Sequence, residues 1–291
     1  MDELGDHTFD DIGTLSVIMV CRNAAATVDA ALASLAVHMK GSWELIVVDG
    51  GSTDGTLDRI VDWGKNVKCR LRYRSEPDGG IFDAMNRGLA RGRGDWVYFL
   101  NADDVFTEGV AAALRELGSA RPEVVAVYGG VRFVDVRHGF SERVECGHRK
   151  LDFALSRAPH HQGIFMRREA ALDAGGFDLS LGSAADLGLI AALRKRGGEG
   201  GFRAVDTVVA DFALGGVSER PDAWLRRERE RARAVGRYFG IGWGALNFAH
   251  GITLWVRSWA RVALDALGWL AAWRRLKAKW RGGRYHVGVG R

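Results

Sequence analysis

Two adjacent carboxylates, Asp103 and Asp104, follow an apolar run at residues 97–100 and stand next to Asn101. Such a run is typical of a buried parallel strand, and ligands bind at the carboxyl ends of such strands. Neighbouring carboxylates repel each other unless a cation or hydrogen-bond donors offset their charge. Mg²⁺ and Mn²⁺ favour one or two carboxylates together with substrate phosphates. The segment predicts a divalent metal site, and capping of a following helix by either aspartate explains it equally well.

A second polar loop, residues 49–56, begins with Asp49 directly after the apolar run 45–48 and contains three glycines. It lacks the P-loop pattern, and no dinucleotide fingerprint follows the first apolar run, which argues against NTPases and dinucleotide oxidoreductases. An aspartate at a strand end can accept hydrogen bonds from a base or ribose, while glycines permit close approach. Taken alone, a tight turn with Thr53 or Asp54 capping the next helix is slightly favoured.

The elements that must position these loops alternate between strands and helices. We predict strands at 15–21, 45–48, 69–74 and 96–100, and helices at 24–39, 57–63 and 81–90. This alternation predicts right-handed crossovers and a largely parallel sheet. The polar loops that begin at Arg22, Asp49 and Asn101 should therefore lie along one edge of the sheet, where a nucleotide is expected to bind.

The ordered series of motifs resembles family 2 glycosyltransferases with a GT-A fold, over about residues 14–218. The segments that carry the likeness are 15–18, 47–56, 75–88 and 100–104. The likeness is greatest to the bacterial branch that builds exopolysaccharides and glycolipids. It implies an α/β fold of the GT-A type, Rossmann-like with a mostly parallel central sheet. It also implies an inverting hexosyl- or deoxyhexosyltransferase that uses a nucleotide-diphosphate-sugar donor.

The resemblance also assigns roles on the donor side. It implies that Asp49 binds the nucleobase and that Asp103 binds Mn²⁺ or Mg²⁺ on the donor diphosphate. Asn101 stands where the family has the first aspartate of a D-x-D element, and an amide is a neutral ligand at best. UDP is the default donor nucleotide, with GDP and dTDP as alternatives. The other positions assigned to donor binding are Asn23, Asp78, Asp83, Asn86, Asn101, Ala102 and Asp104.

Residues 160–168 resemble the acceptor-side segment of the family, in which His161 and Gln162 are the candidates. The resemblance implies that Asp186 is the general base, near the start of a predicted helix. A helix dipole holds such a carboxylate ionised, whereas burial beside a diphosphate would raise its pKa again. From the residues alone, a helix cap or first-turn acid is the better explanation of Ser183 and Asp186. Residues 214–218 resemble a segment that closes over the donor in that family.

Composition agrees with a cytoplasmic enzyme. The chain has 291 residues, of which 47% are hydrophobic, enough to bury one large α/β core. Its three cysteines lack metal-ligand spacing, and its acidic N-terminus lacks an apolar signal region, so a reducing compartment is favoured. We predict an N-terminal tail at 1–13, a catalytic domain at 14–220 and a basic helical extension at 221–291. The catalytic domain is divided into a nucleotide half, 14–110, and an acceptor half, 111–220.

The extension concentrates positive charge and tryptophan. Residues 241–291 contain nine Arg or Lys residues, one acid and six of the ten tryptophans. On a helical wheel an apolar stripe is separate from the charged sector, and it consists of Trp255, Trp259, Val262, Trp269, Trp273 and Trp280. The pattern predicts a peripheral helix on an anionic membrane, at the inner face of the cell membrane. Packing on the catalytic domain or on a second subunit of a homo-oligomer is the alternative. A membrane span is disfavoured by glycines, and no nucleic-acid-binding fold accompanies the tail.

The sequence leaves three functions open. The favoured one is transfer of a sugar to a lipid-linked or glycolipid acceptor at the membrane. Transfer to a soluble saccharide is the second. The third is a non-catalytic scaffold that binds a nucleotide sugar, which Asn101 keeps open because a neutral ligand weakens the metal site.

Overall fold

The computed structural model describes residues 15–39, 42–135, 140–144, 146–213 and 224–266. The strands are β1 (Leu15–Cys21), β2 (Trp43–Asp49), β3 (Arg70–Ser75), β4 (Trp96–Phe99), β5 (Val105–Phe106), β6 (Ala126–Asp135), β7 (Phe140–Val144), β8 (Ile164–Arg167) and β9 (Phe202–Ala213). The helices are α1 (Val28–His38), α2 (Thr56–Gly64), α3 (Ile81–Arg91), α4 (Val110–Ser119), α5 (Lys150–Ala154), α6 (Arg168–Asp173), α7 (Ala185–Gly197), α8 (Trp224–Phe239) and α9 (Ile241–Ala266). The predicted tail at 1–13, the segment 214–218 and the tryptophans after residue 266 lie outside the described residues.

A nine-stranded sheet organises the described part of the chain, in the order β3-β2-β1-β4-β8-β6-β9-β5 with β7 beside β6. The four strands β3, β2, β1 and β4 are parallel, as predicted. Beyond them the sheet is mixed, because β8 runs antiparallel to both β4 and β6 while β6 and β9 are parallel. The α/β class is confirmed, and the four parallel strands lie within the predicted nucleotide half, 14–110.

Alternation along the central strands places a hydrophobic core on each face of the sheet. In β1, Ile18 and Val20 belong to one buried cluster, and Val17 and Met19 belong to the other. Successive side chains of a strand point to opposite faces, so a strand covered on both faces is apolar throughout. This explains why β1 and β2 are buried at every position.

The first helix begins later than predicted, at Val28 rather than residue 24. Asn23 has a left-handed φ of 52°. The backbone N–H groups of Ala24 and Ala25 donate outside the helix, to Thr56 Oγ1 at 2.8 Å and Asp54 Oδ2 at 2.9 Å. The loop after β1 is therefore tied to the loop after β2, and these bonds replace the first helical turn.

The predicted helical extension is confirmed for residues 224–266, where α8 and α9 form an antiparallel hairpin. Gly240, with φ 105°, makes the turn, and Gly244 brings the helices so close that a Cβ there would lie 2.5 Å from the Ala232 carbonyl oxygen. Ala234 and Val235 are fully buried in a core cluster shared with α7. The boundary at residue 220 stays a prediction. Within the described residues, no helix is both long and apolar enough to cross a bilayer.

Candidate active site

The ends of the parallel strands bring the predicted polar loops together at one edge of the sheet. Cys21 pairs in register with Asp49, and Asp49 pairs with Ser75. Asn101 comes two residues after β4, which lies on the other side of β1. The edge therefore has the arrangement expected of a ligand-binding crevice in an open α/β sheet.

Asp49 is fully buried, and its carboxylate stabilises its own loop. Its oxygens accept hydrogen bonds from the Ser52 backbone N–H at 2.9 Å, the Ser52 hydroxyl, the Ser75 hydroxyl at 2.6 Å and the Cys21 thiol at 3.5 Å. Burial opposes ionisation, but the hydrogen bonds from Ser52 and Ser75 outweigh it and lower the pKa of Asp49. Sequence reasoning missed both serines, although Ser75 could have been found from the register of β2 and β3. The nucleobase role of Asp49 stays a prediction.

Asn23 and Asp54 connect the two loops that carry them. The Asn23 side-chain oxygen accepts a hydrogen bond from the Thr53 N–H at 2.9 Å, and the Asn23 N–H donates to Ser52 Oγ at 2.8 Å. Asp54 also accepts from the Thr56 N–H at 3.1 Å, but the cap position of α2 itself is Gly55, so neither Thr53 nor Asp54 is the cap residue that the sequence predicted. Asn23 therefore lies at the predicted edge, with its side chain engaged in loop structure.

Asp78 and Asp83 organise the turn that enters α3. Asp78 accepts from the Gly80 N–H at 2.9 Å, and Asp83 accepts from the Gly79 N–H at 2.8 Å and pairs with Arg87 at 2.7 Å. The Gly79 N–H is the main cause of the lowered pKa of Asp83. A Cβ on Gly50 would lie 2.7 Å from Asp78 Oδ2, so this turn lies directly against the Asp49 loop.

Asn86, the remaining donor-side candidate on α3, bonds to the protein backbone. Its Nδ2 donates to the Phe177 carbonyl and its Oδ1 accepts from the Phe177 N–H, both at 2.8 Å. This reciprocal pair joins α3 to the segment between α6 and α7. Both polar atoms of the amide are thus engaged, and the contact joins the two halves of the catalytic domain.

Substituting Asn86→Ala is expected to destabilise the fold by about 2 kcal/mol, because it leaves the N–H and C=O of Phe177 without partners. Urea unfolding of the variant measures this loss. The surface variant Asn66→Ala, which loses one exposed bond to the Asp62 carbonyl, is the matched control. Equal unfolding midpoints for the two variants would contradict the structural role of Asn86.

The residues that follow β4, Asn101–Asp104, form what we call the strand-end group, and they include one exposed and one buried carboxylate. Asp103 is exposed, Ala102 is 4% exposed, and Asp104 is completely buried. Asp104 accepts hydrogen bonds from Asn101 Nδ2 at 3.0 Å and from the Ala213 N–H at 3.1 Å. Burial and the neighbouring charge of Asp103 nevertheless raise the pKa of Asp104 to about 7. Loss of surrounding water raises the pKa of Asp103 as well.

The group fits a hard divalent cation that also binds substrate phosphates. Asn101 Oδ1 is buried and has no hydrogen-bond partner in the described part of the chain, and Asp103 presents an exposed carboxylate beside it. An oxygen left without a donor and a carboxylate of raised pKa are both stabilised by a cation. No set of three His, Cys, Asp or Glu side chains among the described residues forms a complete metal cage. The fit is therefore to a metal that binds phosphate, not to a structural ion.

On the acceptor side, His161 and Asp186 form a pair. His161 Nδ1 lies 3.1 Å from Asp186 Oδ2, and the side chains are 11% and 24% exposed. Asp186 is the second residue of α7, as the predicted helix start implied, and its Oδ1 accepts from the Leu187 N–H at 2.6 Å. Burial opposes ionisation, but the hydrogen bond from His161 is the largest of the effects that outweigh it and lower the pKa of Asp186.

His160 and Gln162 support this pair from behind. His160 Nδ1 lies 2.5 Å from Gln162 Oε1, and burial lowers the pKa of His160 to about 4, so its ring is neutral. Gln162 is buried, and its backbone carbonyl accepts a hydrogen bond from the Tyr98 hydroxyl. Its side-chain amide lies close enough to Asp104 to lower the pKa of that carboxyl, although Gln162 Nε2 forms no complete hydrogen bond within the described residues. Sequence reasoning missed His160 and the rings of Phe133 and Phe212 around it, because these contacts join distant segments.

The two sides of the site lie within electrostatic reach of each other. Burial raises the pKa of both Asp103 and Asp104, and a protonated His161 is close enough to oppose part of that rise. A strand-end group suited to a metal-bound diphosphate thus faces an imidazole–carboxylate pair suited to proton transfer. Such an arrangement can bind an anionic leaving group on one side and a hydroxyl nucleophile on the other.

Comparisons with known proteins agree with this geometry. The family model "Glycosyl transferase family 2" matches residues 16–172. The PGL/p-HBAD biosynthesis glycosyltransferase of Mycobacterium bovis is 39% identical over 158 residues, which cover 53% of this chain and 59% of that protein. An uncharacterized glycosyltransferase of Mycobacterium tuberculosis is 33% identical over 178 residues, which cover 60% of this chain and 66% of that protein. The matched region thus spans about three fifths of the length of the first of these relatives.

Solved structures share the fold at low sequence identity. Staphylococcus aureus TarS in complex with UDP-GlcNAc superposes with a TM-score of 0.63 at 18% identity, covering 82% of this chain and 71% of that one. A mannosyltransferase from Pyrobaculum calidifontis in complex with GDP-Man and Mn²⁺ superposes with a TM-score of 0.59 at 21% identity, covering 94% and 81%. These likenesses confirm the predicted GT-A fold. Because the family model covers more than half of this chain, the chain belongs to glycosyltransferase family 2.

Proposed function

We propose that this protein transfers a sugar from a nucleoside-diphosphate-sugar donor to a hydroxyl group of a lipid-linked or glycolipid acceptor, with inversion at the anomeric carbon. The observation that carries the proposal is the position of the Asn101–Asp104 group opposite the His161–Asp186 pair at one sheet edge. Family membership supports the transferase class. The UDP-GlcNAc, GDP-Man and Mn²⁺ bound to the two structural neighbours support the class of donor and cofactor.

On the donor side, the chain supplies the loops at the strand ends for the nucleotide and the Asp103 carboxylate for the metal that binds the diphosphate. The carboxylate of Asp103 and Asn101 Oδ1, which has no hydrogen-bond partner among the described residues, would hold Mn²⁺ or Mg²⁺. When bound, the ion supplies Lewis-acid stabilisation of the charge that develops on the leaving diphosphate. Asp104 supports Asn101 from the interior, because it accepts the hydrogen bond of the Asn101 amide and directs Oδ1 away from itself. UDP is our default nucleotide, with GDP and dTDP as alternatives.

On the acceptor side, the His161–Asp186 pair accepts the proton of the attacking hydroxyl group. The hydroxyl oxygen forms a bond to the anomeric carbon from the face opposite the diphosphate, and that bond formation inverts the configuration. General-base assistance of this kind is worth about 10²–10⁴-fold in rate. A covalent nucleophile is not needed, since a single displacement accounts for inversion.

The outer surface of the α8–α9 hairpin supports a membrane-bound acceptor. A groove of about 770 Å³ lies between the two helices, with Arg229 and Arg233 on one side and Ile241 and Phe248 on the other. Arg229 and Arg233 are exposed and form no ion pair with the described residues, and Ile241 is 88% exposed. A row of cations beside an apolar strip is suited to anionic lipid at the cytoplasmic face of a membrane.

Reversing the charge of this surface with Arg229→Glu/Arg233→Glu is expected to weaken binding to anionic vesicles by about 30-fold or more, since each arginine near such a surface contributes ~1 kcal/mol. Co-sedimentation with phosphatidylserine-containing vesicles measures the loss. Arg115→Glu/Arg203→Glu, an equal charge change at exposed positions of α4 and β9, is the control. Equal vesicle binding by the two double variants would contradict a role for the hairpin.

Calorimetry with UDP, GDP and dTDP, with and without Mn²⁺, tests the function itself. We expect one nucleotide to bind tightly only with the metal, and the corresponding sugar nucleotides to be turned over. Nucleotide release with octyl β-glucoside or water as the acceptor reports turnover. Tight nucleotide binding without turnover of any sugar nucleotide would favour the scaffold function. Transfer to soluble saccharides by a protein that does not bind vesicles would favour the soluble acceptor.

A further inference from the structure

Two phenylalanine rings lie on the acceptor side of the site and are partly exposed. Phe133 of β6 and Phe212 of β9 are paired in register, and their ring centroids are 5.3 Å apart. Both rings contact His160, at centroid distances of 5.3 Å and 5.4 Å. Arg132, the residue before Phe133, pairs with Asp211 on the other face of the sheet, because successive residues of a strand alternate. The two rings therefore belong to the face that carries the histidines.

The rings stand where the sheet leaves the core. Residues 126–131 of β6 are buried, whereas the last four residues of the strand are partly or fully exposed. Likewise, β9 is buried at residues 209–210 and partly exposed at residues 211–213. Apolar rings at the emerging ends of two strands, beside the polar groups of a candidate active site, are typical of a surface that binds a ligand.

Phe212 lies between the donor and acceptor sides. The next residue, Ala213, donates its N–H to Asp104 Oδ1 at 3.1 Å, which joins this end of β9 to the strand-end group. The His160 ring beside Phe212 stacks on His161, with centroids 5.6 Å apart and an interplanar angle of 22°. His161 is the imidazole of the acceptor-side pair. A molecule that covers the phenylalanine rings is therefore adjacent to both sides of the site.

Polar atoms next to this surface lack partners that a hydroxyl group can supply. His161 Nε2 and Gln162 Nε2 are buried and have no hydrogen-bond partner among the described residues. A hydroxyl group both donates and accepts, so it suits an imidazole nitrogen in either protonation state as well as an amide N–H. Glu142 of β7 is exposed and pairs in register with Phe133. Because paired residues of antiparallel strands share a face, its carboxylate lies at the rim of the same surface.

An aromatic surface with hydroxyl-binding atoms around it is suited to a pyranose ring. The face of a phenylalanine ring is the negative part of its quadrupole, so it attracts the weakly positive C–H groups on one face of a sugar. The hydroxyl groups at the edge of the sugar can then reach the surrounding polar atoms. An anionic ligand is disfavoured by Glu142 and Asp186, since like charges repel. An alkyl chain would leave His161 Nε2 and Gln162 Nε2 without partners.

We propose that Phe133 and Phe212 form an acceptor subsite that stacks on the C–H face of a pyranose ring, so that the acceptor is a glycoside and not a bare lipid alcohol. This assignment rests on the proposed glycosyl transfer. The two phenylalanines are positioning residues, because they contact the acceptor sugar and take no part in proton transfer. Their loss should raise the KM for the acceptor and leave the release of nucleotide to water unchanged.

Saturation-transfer NMR with the full-length chain tests binding, with the methyl β-pyranosides of glucose, galactose and mannose as probes. We expect at least one glycoside to receive most saturation on the ring protons of one face, because that face lies against the phenylalanines. Phe133→Leu and Phe212→Leu, singly and together, keep an apolar side chain but remove the aromatic face. The double variant should bind the glycoside about 10-fold more weakly, as loss of an apolar contact in a binding pocket does. Phe212→Tyr keeps the ring and should bind as the wild type does.

The matched control is Phe239→Leu, the same substitution at a partly exposed ring of α8 that contacts Phe153. Calorimetry with the donor nucleotide in Mn²⁺ should give the same affinity for every variant, which shows that the site is folded. Kinetics with the glycoside that binds should show an acceptor KM about 10-fold higher in the double variant, with an unchanged rate of nucleotide release to water.

Three outcomes would overturn the subsite. They are no binding of any of the three glycosides, saturation of octyl β-glucoside on its alkyl chain alone, and glycoside binding by the double variant as tight as that of Phe239→Leu. The proposed function fails separately. A wild-type chain that binds a glycoside through these rings but turns over no donor would refute the transfer and keep the subsite, whereas turnover with a normal acceptor KM in the double variant would do the reverse.

Discussion

Substituting Asp103→Asn is expected to lower metal-dependent affinity for the donor nucleotide by about 100-fold or more. Asp103 is the exposed carboxylate of the strand-end group, and Asn101 beside it supplies only a neutral oxygen. Loss of a partner that merely supports a metal ligand typically costs 10–100-fold, so loss of the charged ligand should cost at least that much. Calorimetric titration with the preferred nucleotide in Mn²⁺ measures the change.

The control for this prediction is the same substitution at an exposed aspartate elsewhere. Asp58→Asn on α2 removes one surface charge and should leave nucleotide binding unchanged. A second titration in EDTA shows how much of the affinity depends on metal. Near-normal affinity and turnover of Asp103→Asn in Mn²⁺ would contradict the metal site, whatever the behaviour of the control.

Asp104 is expected to make the metal-free protein less stable as the pH rises. Burial and the charge of Asp103 raise the pKa of Asp104 from 3.8 to about 7 in the fold. Folding therefore favours the protonated carboxyl, so its contribution is complete below about pH 4 and is lost as the pH rises through 7. A difference of about three pKa units corresponds to about 4 kcal/mol. Wild-type protein in EDTA should lose up to this amount between pH 4 and pH 8.

The variant Asp104→Asn removes this dependence, because an amide stays neutral throughout. It keeps one oxygen to accept from Asn101 or the Ala213 N–H, so a constant loss of about 1 kcal/mol is expected at low pH. Above pH 7 the variant should be the more stable protein. Urea unfolding of both proteins at several pH values between 4 and 8 measures the crossover. A stability difference that is independent of pH would contradict the raised pKa.

The nucleotide half was predictable because its signals are local. Strands β1, β2 and β4 are continuous apolar runs, and polar loops follow them immediately, so the sheet edge could be derived from residue types alone. Helix α1 was predicted to begin too early because the bonds that replace its first turn are accepted by Asp54 and Thr56, on another loop. Side chains that accept bonds across two loops leave no periodic signal in the sequence.

The acceptor half was less predictable because its contacts join distant segments. His161 and Asp186 are 25 residues apart, and Asn86 and Phe177 are 91 apart. The antiparallel entry of β8 between β4 and β6 brings the histidines to the site, and no local pattern specifies that pairing. Resemblance could suggest that His161 and Asp186 matter, but only the fold shows which ring nitrogen Asp186 contacts.

The contact between α8 and the segment that precedes α7 determines how the extension can be studied. Glu230 of α8 accepts hydrogen bonds from the backbone N–H of Ser183 at 2.9 Å and from the Ser183 hydroxyl at 2.6 Å. Ser183 lies three residues before Asp186. A Cβ on Gly182 would lie 2.5 Å from the same carboxylate. A chain truncated before α8 is therefore not a soluble form of the same enzyme, since truncation also removes the support beneath the start of α7. Loss of activity on truncation would report on Asp186 as much as on the membrane, whereas substitutions on the outer face of the hairpin separate the two.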